Sequence, residues 1–187
     1  RKMNDRYIFR YIIMLVIVVS VLLSAAAMWL QPYQKRNQEN EKRINILKAA
    51  GIKDVNNDNA EALFAQHCTA QQDGELPMYI IDNQTTVIPM QGNGLWGPIW
   101  GYIAMAADGK TVVGAVFDHK SETPGLGAEI TTEGYQKQFS GKTMVKKGET
   151  VSVEVDAIAG ATRTSKGVEN MIEQTLQKYI PYFESHE

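Results

Sequence analysis

The sequence predicts an α+β protein: a single N-terminal transmembrane helix, then one domain with a mainly antiparallel sheet and flanking helices. Three stretches carry that prediction. Tyr11 to Leu30 (YIIMLVIVVSVLLSAAAMWL) is twenty residues without a charge, long enough to cross a bilayer as a helix. Ile99 to Ala106 and Thr111 to Asp118 are strand-like runs joined by Ala107-Asp-Gly-Lys110, and Asp-Gly between alternating segments is a strong hairpin signal. Lys166 to Tyr179 spaces Val168, Met171, Ile172, Thr175, Leu176 and Tyr179 by threes and fours, the apolar stripe of an amphipathic helix.

Composition bounds the answer. A chain of 187 residues that is 44% hydrophobic suits one globular domain plus an anchor and leaves no room for two large domains. The expected division is an anchor over 1–31, a helical stalk or linker over 32–58 and the globular domain over 59–187. A formal net charge of -2, with no basic stripe interleaved by aromatics, speaks against a nucleic-acid partner. Cys68 is the single cysteine, so no internal disulfide can form.

In chain order, the apolar run has Tyr7 and Tyr11 near one end and Trp29 and Tyr33 near the other, as an interfacial belt would. The rival is a cleaved signal peptide with Ala25-x-Ala27 as its small-residue site, but the run is longer than a usual signal core. Arg1, Lys2, Arg6 and Arg10 precede it and Lys35, Arg36, Lys42 and Arg43 follow it, so the charge bias is weak. Short basic N-termini of bacterial anchors usually stay in the cytoplasm, which puts the domain on the periplasmic side of an inner membrane. Pro32 to Ala50 continues as a polar helix, with Gly51 as its stop. Asn56 to Ala60 is turn-like, and Ala60 to Cys68 is a short helix with Leu63 and Phe64 inward. His67-Cys68 is too sparse a pair to hold a metal. Short strands are expected at Met78–Ile81 and Thr85–Ile88, around Asp82-Asn83-Gln84. Thr131 to Phe139 reads as a short helix interrupted by Gly134, Ser140-Gly-Lys142 turns the chain, and Thr143 to Val155 supplies the last strands. Val151-Ser-Val-Glu-Val155 alternates as a half-buried strand does.

Three loops hold the candidate chemistry. Gln91-Gly-Asn-Gly-Leu-Trp-Gly-Pro98 surrounds an apolar pair with glycines; Trp96 is either a partly buried core aromatic or an apolar wall for a planar ligand. Lys120-Ser-Glu-Thr-Pro-Gly-Leu-Gly127 is either a strand-ending turn or a constrained loop whose N–H groups meet a polar ring edge, with Glu122 as acceptor and Thr123 as donor. Asp156-Ala-Ile-Ala-Gly-Ala-Thr-Arg-Thr-Ser165 leads into the amphipathic helix, with Thr164 and Ser165 as expected N-cap residues. It delivers the Thr162 hydroxyl just ahead of a helix start, where unpaired N–H groups favour a phosphate. The bland alternative is an ordinary strand-to-helix turn.

These loops resemble a known family. Asp156, Gly160, Ala161 and Thr162 match the Asp-x-x-(Ser/Thr)-Gly-Ala-Thr signature of covalent FMN-binding domains, with Ala159 where the family usually has Ser or Thr. Gln34-Lys-x-Asn37, Asn45-Ile-Leu47 and Ala49-Ala-Gly51, together with Gly94-Leu-Trp96 and the six consecutive residues Glu122-Thr-Pro-Gly-Leu-Gly127, resemble the NqrC family, flavoproteins of the Na⁺-translocating NADH:quinone reductases. The resemblance runs from the anchor to about Tyr179. It implies an FMN-binding domain with FMN joined through its phosphate to Thr162, and electron transfer among the other membrane subunits of the reductase complex. It implies flavin contacts from Gly94, Leu95, Trp96, Glu122, Thr123, Gly125, Leu126 and Gly127, and from Gly160, Ala161, Thr164 and Ser165 around the attachment point. It further implies a separate Mg²⁺-dependent flavin transferase that uses FAD, for which Asp156 is a recognition or metal-binding acid; the alternative for Asp156 is a turn acceptor. No catalytic nucleophile, resident metal, NADH site or quinone site is recognised in the chain. Two other classes stay open: the homologous flavoprotein of the ion-translocating ferredoxin:NAD⁺ complex, and a non-redox membrane-tethered binding module.

Overall fold

The computed structural model describes residues 5–73, 76–147 and 150–185; Arg1, Lys2 and His186 lie outside them. The chain divides into two compact units, Arg1–Glu41 and Lys42–Glu187. The first helix, α1 (Asp5–Ala49), runs through Pro32 and enters the second unit with its last residues. Its apolar portion is long and apolar enough to cross a membrane, and none of that stretch is buried. At the end of α1, Ile46, Leu47 and Ala49 are fully buried in the second unit. Gly51 ends the helix as expected. It takes φ +82°, its N–H bonds the Lys48 carbonyl at 2.9 Å, and the Ile52 N–H bonds Leu47 at 3.0 Å, the paired closure of a Schellman motif.

The second unit is built on a five-stranded antiparallel meander, β1 (Cys68–Asp73), β2 (Leu76–Ile81), β3 (Thr85–Asn93), β4 (Pro98–Ala106) and β5 (Val112–His119), each paired with the next in sequence. Helix α2 (Ala60–His67) precedes it. Strand β1 has no apolar alternation to announce it; its register against β2, Cys68 opposite Ile81 through Asp73 opposite Leu76, forms it. The β2–β3 turn places Asp82 and Asn83 at φ +50° and +56°, a region these side chains tolerate better than most. Strands β3 and β4 run on to Asn93 and Pro98, so the loop expected over Gln91–Pro98 contracts to Gly94–Gly97.

The β4–β5 hairpin shows why Asp-Gly is written there. Gly109 takes φ +63°, and the Asp108 carboxylate accepts the N–H groups of Lys110 and Thr111, each at 2.8 Å, and the Thr111 hydroxyl at 2.6 Å. The Thr111 side-chain and backbone hydrogen bonds hold the Asp108 carboxyl below its ordinary value, burial opposing them. A depressed folded value means that the stabilisation is present above the unfolded carboxylate range and lost as pH falls through the folded one. Asp108→Ala should cost about 1 kcal/mol at neutral pH. The gap in melting temperature between wild type and variant should close on acidification below the ordinary carboxylate range; a gap constant with pH would refute this account.

Both sheet faces are covered. On one face Ile88, Met90, Ile99, Ile103, Met105 and Phe117 pack against Val168, Met171, Ile172, Leu176 and Tyr179 of the C-terminal helix α4 (Thr162–Glu184). The expected stripe is thus the buried face of that helix, and the Tyr179 hydroxyl bolts it to β2 by donating to the Pro77 carbonyl at 2.6 Å. The other face carries Val87 and Ala104, covered by Ile46 and Leu47, with Leu63 and Phe64 of α2 beside them. Between β5 and α4 the chain makes a 3₁₀ turn (Gly127–Thr131), the one-turn helix α3 (Glu133–Gln136), a second 3₁₀ turn (Lys137–Phe139), and the small pair β6 (Val145–Lys147) and β7 (Thr150–Ser152). Gly134 does not interrupt this region. The break falls at Thr132, whose backbone is extended (φ -76°, ψ 145°). Tyr135, Phe139 and Phe117 form an edge-packed aromatic cluster with centroids 5.0–6.1 Å apart.

Candidate functional site

The three loops singled out in the sequence are tied together by one buried carboxylate. Glu122 is 5% exposed. Its Oε1 accepts the Trp96 N–H at 2.8 Å, and its Oε2 accepts the Thr164 hydroxyl at 2.6 Å. The first bond reaches the β3–β4 turn and the second the opening turn of α4. Burial alone would raise the Glu122 carboxyl, but the hydrogen bonds from Thr164, Trp96, Gly97 and Leu95 together outweigh it and leave the group below its ordinary value. Side chains the sequence did not single out complete the frame. The Ser121 hydroxyl donates to the Trp96 carbonyl at 3.2 Å, and the Glu122 N–H meets His119 Nδ1 at 3.2 Å.

The glycines around Glu122 make room for it. A Cβ on Gly94 would stand 2.5 Å from Glu122 Oε1, and one on Gly127 would fall on Oε2 and on the Thr164 hydroxyl. Within the second loop, Thr123-Pro124-Gly125-Leu126 closes with the Leu126 N–H on the Thr123 carbonyl at 3.1 Å and Gly125 at φ +74°. Proline followed by a positive-φ glycine is the pattern of a type II turn. That turn lifts Leu126 to the surface, where its Cδ2 lies 2.9 Å from the place a Cβ on Gly160 would take. The second loop therefore touches the third directly.

The helix start differs from expectation. Helix α4 begins at Thr162 itself, and Ala161 is its N-cap, without a side-chain capping bond. Thr164 and Ser165 lie inside the first turn and are buried. The Ser165 hydroxyl donates to the Ala161 carbonyl at 3.1 Å and accepts the Ile158 N–H at 3.0 Å, so it braces the loop and does not cap the helix. Thr162 is exposed. With Asp156, Lys142, Lys166 and Glu169 it borders a groove of about 560 Å³ floored by Tyr135, Phe139 and Ile172. The Asp156 side chain is exposed, and its N–H is held by Gln138 Oε1 at 2.9 Å.

Exposure decides between the alternatives for Trp96. It is 67% exposed, Leu95 42% and Leu126 41%, and these are the exposed large apolar side chains among the described residues of the second unit. Trp96 is not a core aromatic. An exposed trio on glycine-framed loops is an apolar patch that solvent contact alone does not favour. His67 and Cys68 do not join it. His67 Nδ1 lies 2.8 Å from Asp82 Oδ1, and burial pushes the Cys68 thiol up to about 11. Among the described residues no group of three or more His, Cys, Asp or Glu side chains is placed to hold a metal.

Residues 94–177 match the model of the FMN-binding domain family. The NqrC protein of the Na(+)-translocating NADH-quinone reductase from Haemophilus ducreyi is 30% identical, with 85% of this chain and 84% of that protein covered. The chain belongs to the NqrC family of these reductases. The crystal structure of the NqrC protein from Parabacteroides distasonis is similar with a TM-score of 0.70 at 32% identity, covering 82% of this chain and 96% of that one. The NqrC structure from Shewanella oneidensis, at 20% identity and a TM-score of 0.69, shares the fold. The family match begins at Gly94 and ends within α4, so it encloses all three loops. For a member of the NqrC family, the apolar run in α1 fits a membrane-anchored protein.

Proposed function

We propose that this protein carries FMN esterified through its phosphate to Thr162 and passes electrons to and from neighbouring subunits of a Na⁺-translocating NADH:quinone reductase. The observation that carries this reading is the grouping of Leu95, Trp96 and Leu126, the exposed large apolar side chains among the described residues of the second unit, on loops clamped to the turn that starts with Thr162. The residues present fit the group. Leu95, Trp96 and Leu126 offer apolar contact for a flat ring. Gly160 and Ala161 leave Thr162 open to approach, and an N-terminus without a side-chain cap leaves first-turn N–H groups and their partial positive charge for a phosphoryl group.

Bound FMN supplies the electron-transfer chemistry, and the protein supplies binding, orientation and electrostatics. Thr162 is an attachment point and not a turnover nucleophile. A threonine hydroxyl is a weak nucleophile, so attachment calls for a separate flavin transferase. Exposed Asp156, on the same groove as Thr162, is the acid such an enzyme would meet. Gly94, Thr123, Gly125, Gly127, Gly160 and Ala161 frame the cofactor, and Glu122, Thr164 and Ser165 act from behind it as buried supports. A single-pass anchor over 1–31 holds the domain on the periplasmic side, where lost FMN could not readily be replaced. Intact-mass analysis with peptide mapping tests this reading. An added FMN phosphoryl mass on the Thr162 peptide is expected after expression with a flavin transferase. A colourless protein with unmodified Thr162 from such a host would overturn it.

A further inference from the structure

The Glu122 side chain has the position of a ligand contact and the bonding of a structural clamp. Oε1 is committed to the Trp96 N–H, with the N–H groups of Leu95 and Gly97 also acting on the carboxylate, and Oε2 is committed to the Thr164 hydroxyl. The Glu122 carboxylate thus meets the β3–β4 turn through the Trp96 N–H, an acceptor supplied by the protein itself where a bound anion could otherwise sit. Gly94 and Gly127 are the size the carboxylate requires, since a Cβ at either would collide with it. Thr164 is 1% exposed, so its hydroxyl faces Glu122 and is withdrawn from any ligand on the surface.

We infer that Glu122 is a positioning residue that locks the turn bearing Leu95 and Trp96 to the helix start bearing Thr162 before any flavin is attached, and that it does not itself contact the flavin ring. The inference rests on the proposed flavin site for its purpose but not for its geometry. The lock joins the apolar wall to the attachment point, two residues before Thr164, through one side chain. Bonds to a charged acceptor are about twice as strong as neutral ones, so a neutral isostere weakens both ends at once. Glutamine must also turn its amide donors toward either the Trp96 N–H or the Thr164 hydroxyl.

The test uses the full chain in detergent, prepared without flavin from a host lacking the transferase, as wild type, Glu122→Gln, Thr164→Val and the double variant. Amide exchange at Leu95, Trp96 and Gly97 is read by mass spectrometry or NMR. Each single variant should speed exchange there about tenfold or more, and the double variant should add less than the product of the two, because they share one bond. Exchange unchanged in both single variants overturns the lock; Thr164→Val, nearly isosteric, keeps the test alive if Glu122→Gln fails to fold. In the flavin-loaded chain, both variants should alter the visible circular dichroism of FMN in the same sense. A change with Glu122→Gln but none with Thr164→Val would mean that Glu122 touches the ring, and would overturn the second half of the inference. If Thr162 carries no flavin, the flavin-free exchange still decides the lock while the functional reading fails by itself.

Discussion

Thr162→Ala is expected to abolish the covalent flavin completely and to leave the fold intact. The two halves of that outcome have separate causes. The ester requires a side-chain oxygen, and alanine has none, so no flavin fluorescence should survive denaturation on a gel and no FMN phosphoryl mass should remain. Stability should hold because Thr162 is the exposed first residue of α4 and the N-cap position belongs to Ala161. Alanine is a better helix former than threonine, and exposed substitutions away from caps and cores usually stay within about 0.5 kcal/mol. Melting of the flavin-free variant should match that of flavin-free wild type. Gel fluorescence retained by the variant would place the attachment elsewhere. A collapsed melt would mean that Thr162 supports the loop in a way its exposure does not suggest.

Gly167→Ala should be the more damaging change to the protein itself, against the usual expectation for helices. Inside a helix, replacing glycine by alanine typically gains about 1 kcal/mol. At this position a Cβ would fall on the Asn93 backbone carbonyl, with Gly94 Cα at 3.3 Å. A backbone carbonyl in a paired strand cannot rotate away as a side chain can. The seam is tight on its other side too, since a Cβ on Gly92 would stand 2.8 Å from Met171 Cβ. Helix α4 must then lift off the end of β3, and overpacking of this kind costs about 1–3 kcal/mol. The melting temperature should fall by roughly 2–4 °C per kcal/mol lost in a protein of this size. The displaced segment begins five residues before Gly167, at Thr162, so flavinylation should slow as well. A stabilised Gly167→Ala protein with wild-type flavin loading would show that the helix tolerates a larger separation from the strand.

Much of this is legible in the chain, for reasons that differ from element to element. Gly51 reads as a helix stop because the left-handed backbone it adopts is a local property of glycine. The Asp108-Gly109 turn and the α4 stripe are readable because turn chemistry and helical period act over a few residues. Strand β1 is not, because Thr69, Gln71 and Gln72 carry no alternation and owe their conformation to pairing with β2. The start of α4 falls two to three residues before the expected caps because Thr164 and Ser165 have the right chemistry for a cap but another use. Their hydroxyls are spent on Glu122 and on the Ala161 carbonyl. Gly167 is not readable in this way, because its reason is the Asn93 carbonyl that only folding brings against it.

The sequence by itself determined the apolar run, the β4–β5 hairpin, the C-terminal amphipathic helix, and the three loops with Thr162 in the last of them, because each is written in residues adjacent along the chain. Only the tertiary structure decided that Trp96 stands in solvent, that Gly94 and Gly127 are small for the sake of Glu122, and that one carboxylate joins loops 26 and 42 residues away. Exposure and hydrogen-bond partnership belong to pairs of groups brought together by folding, and no local pattern encodes which distant donor a buried oxygen will find.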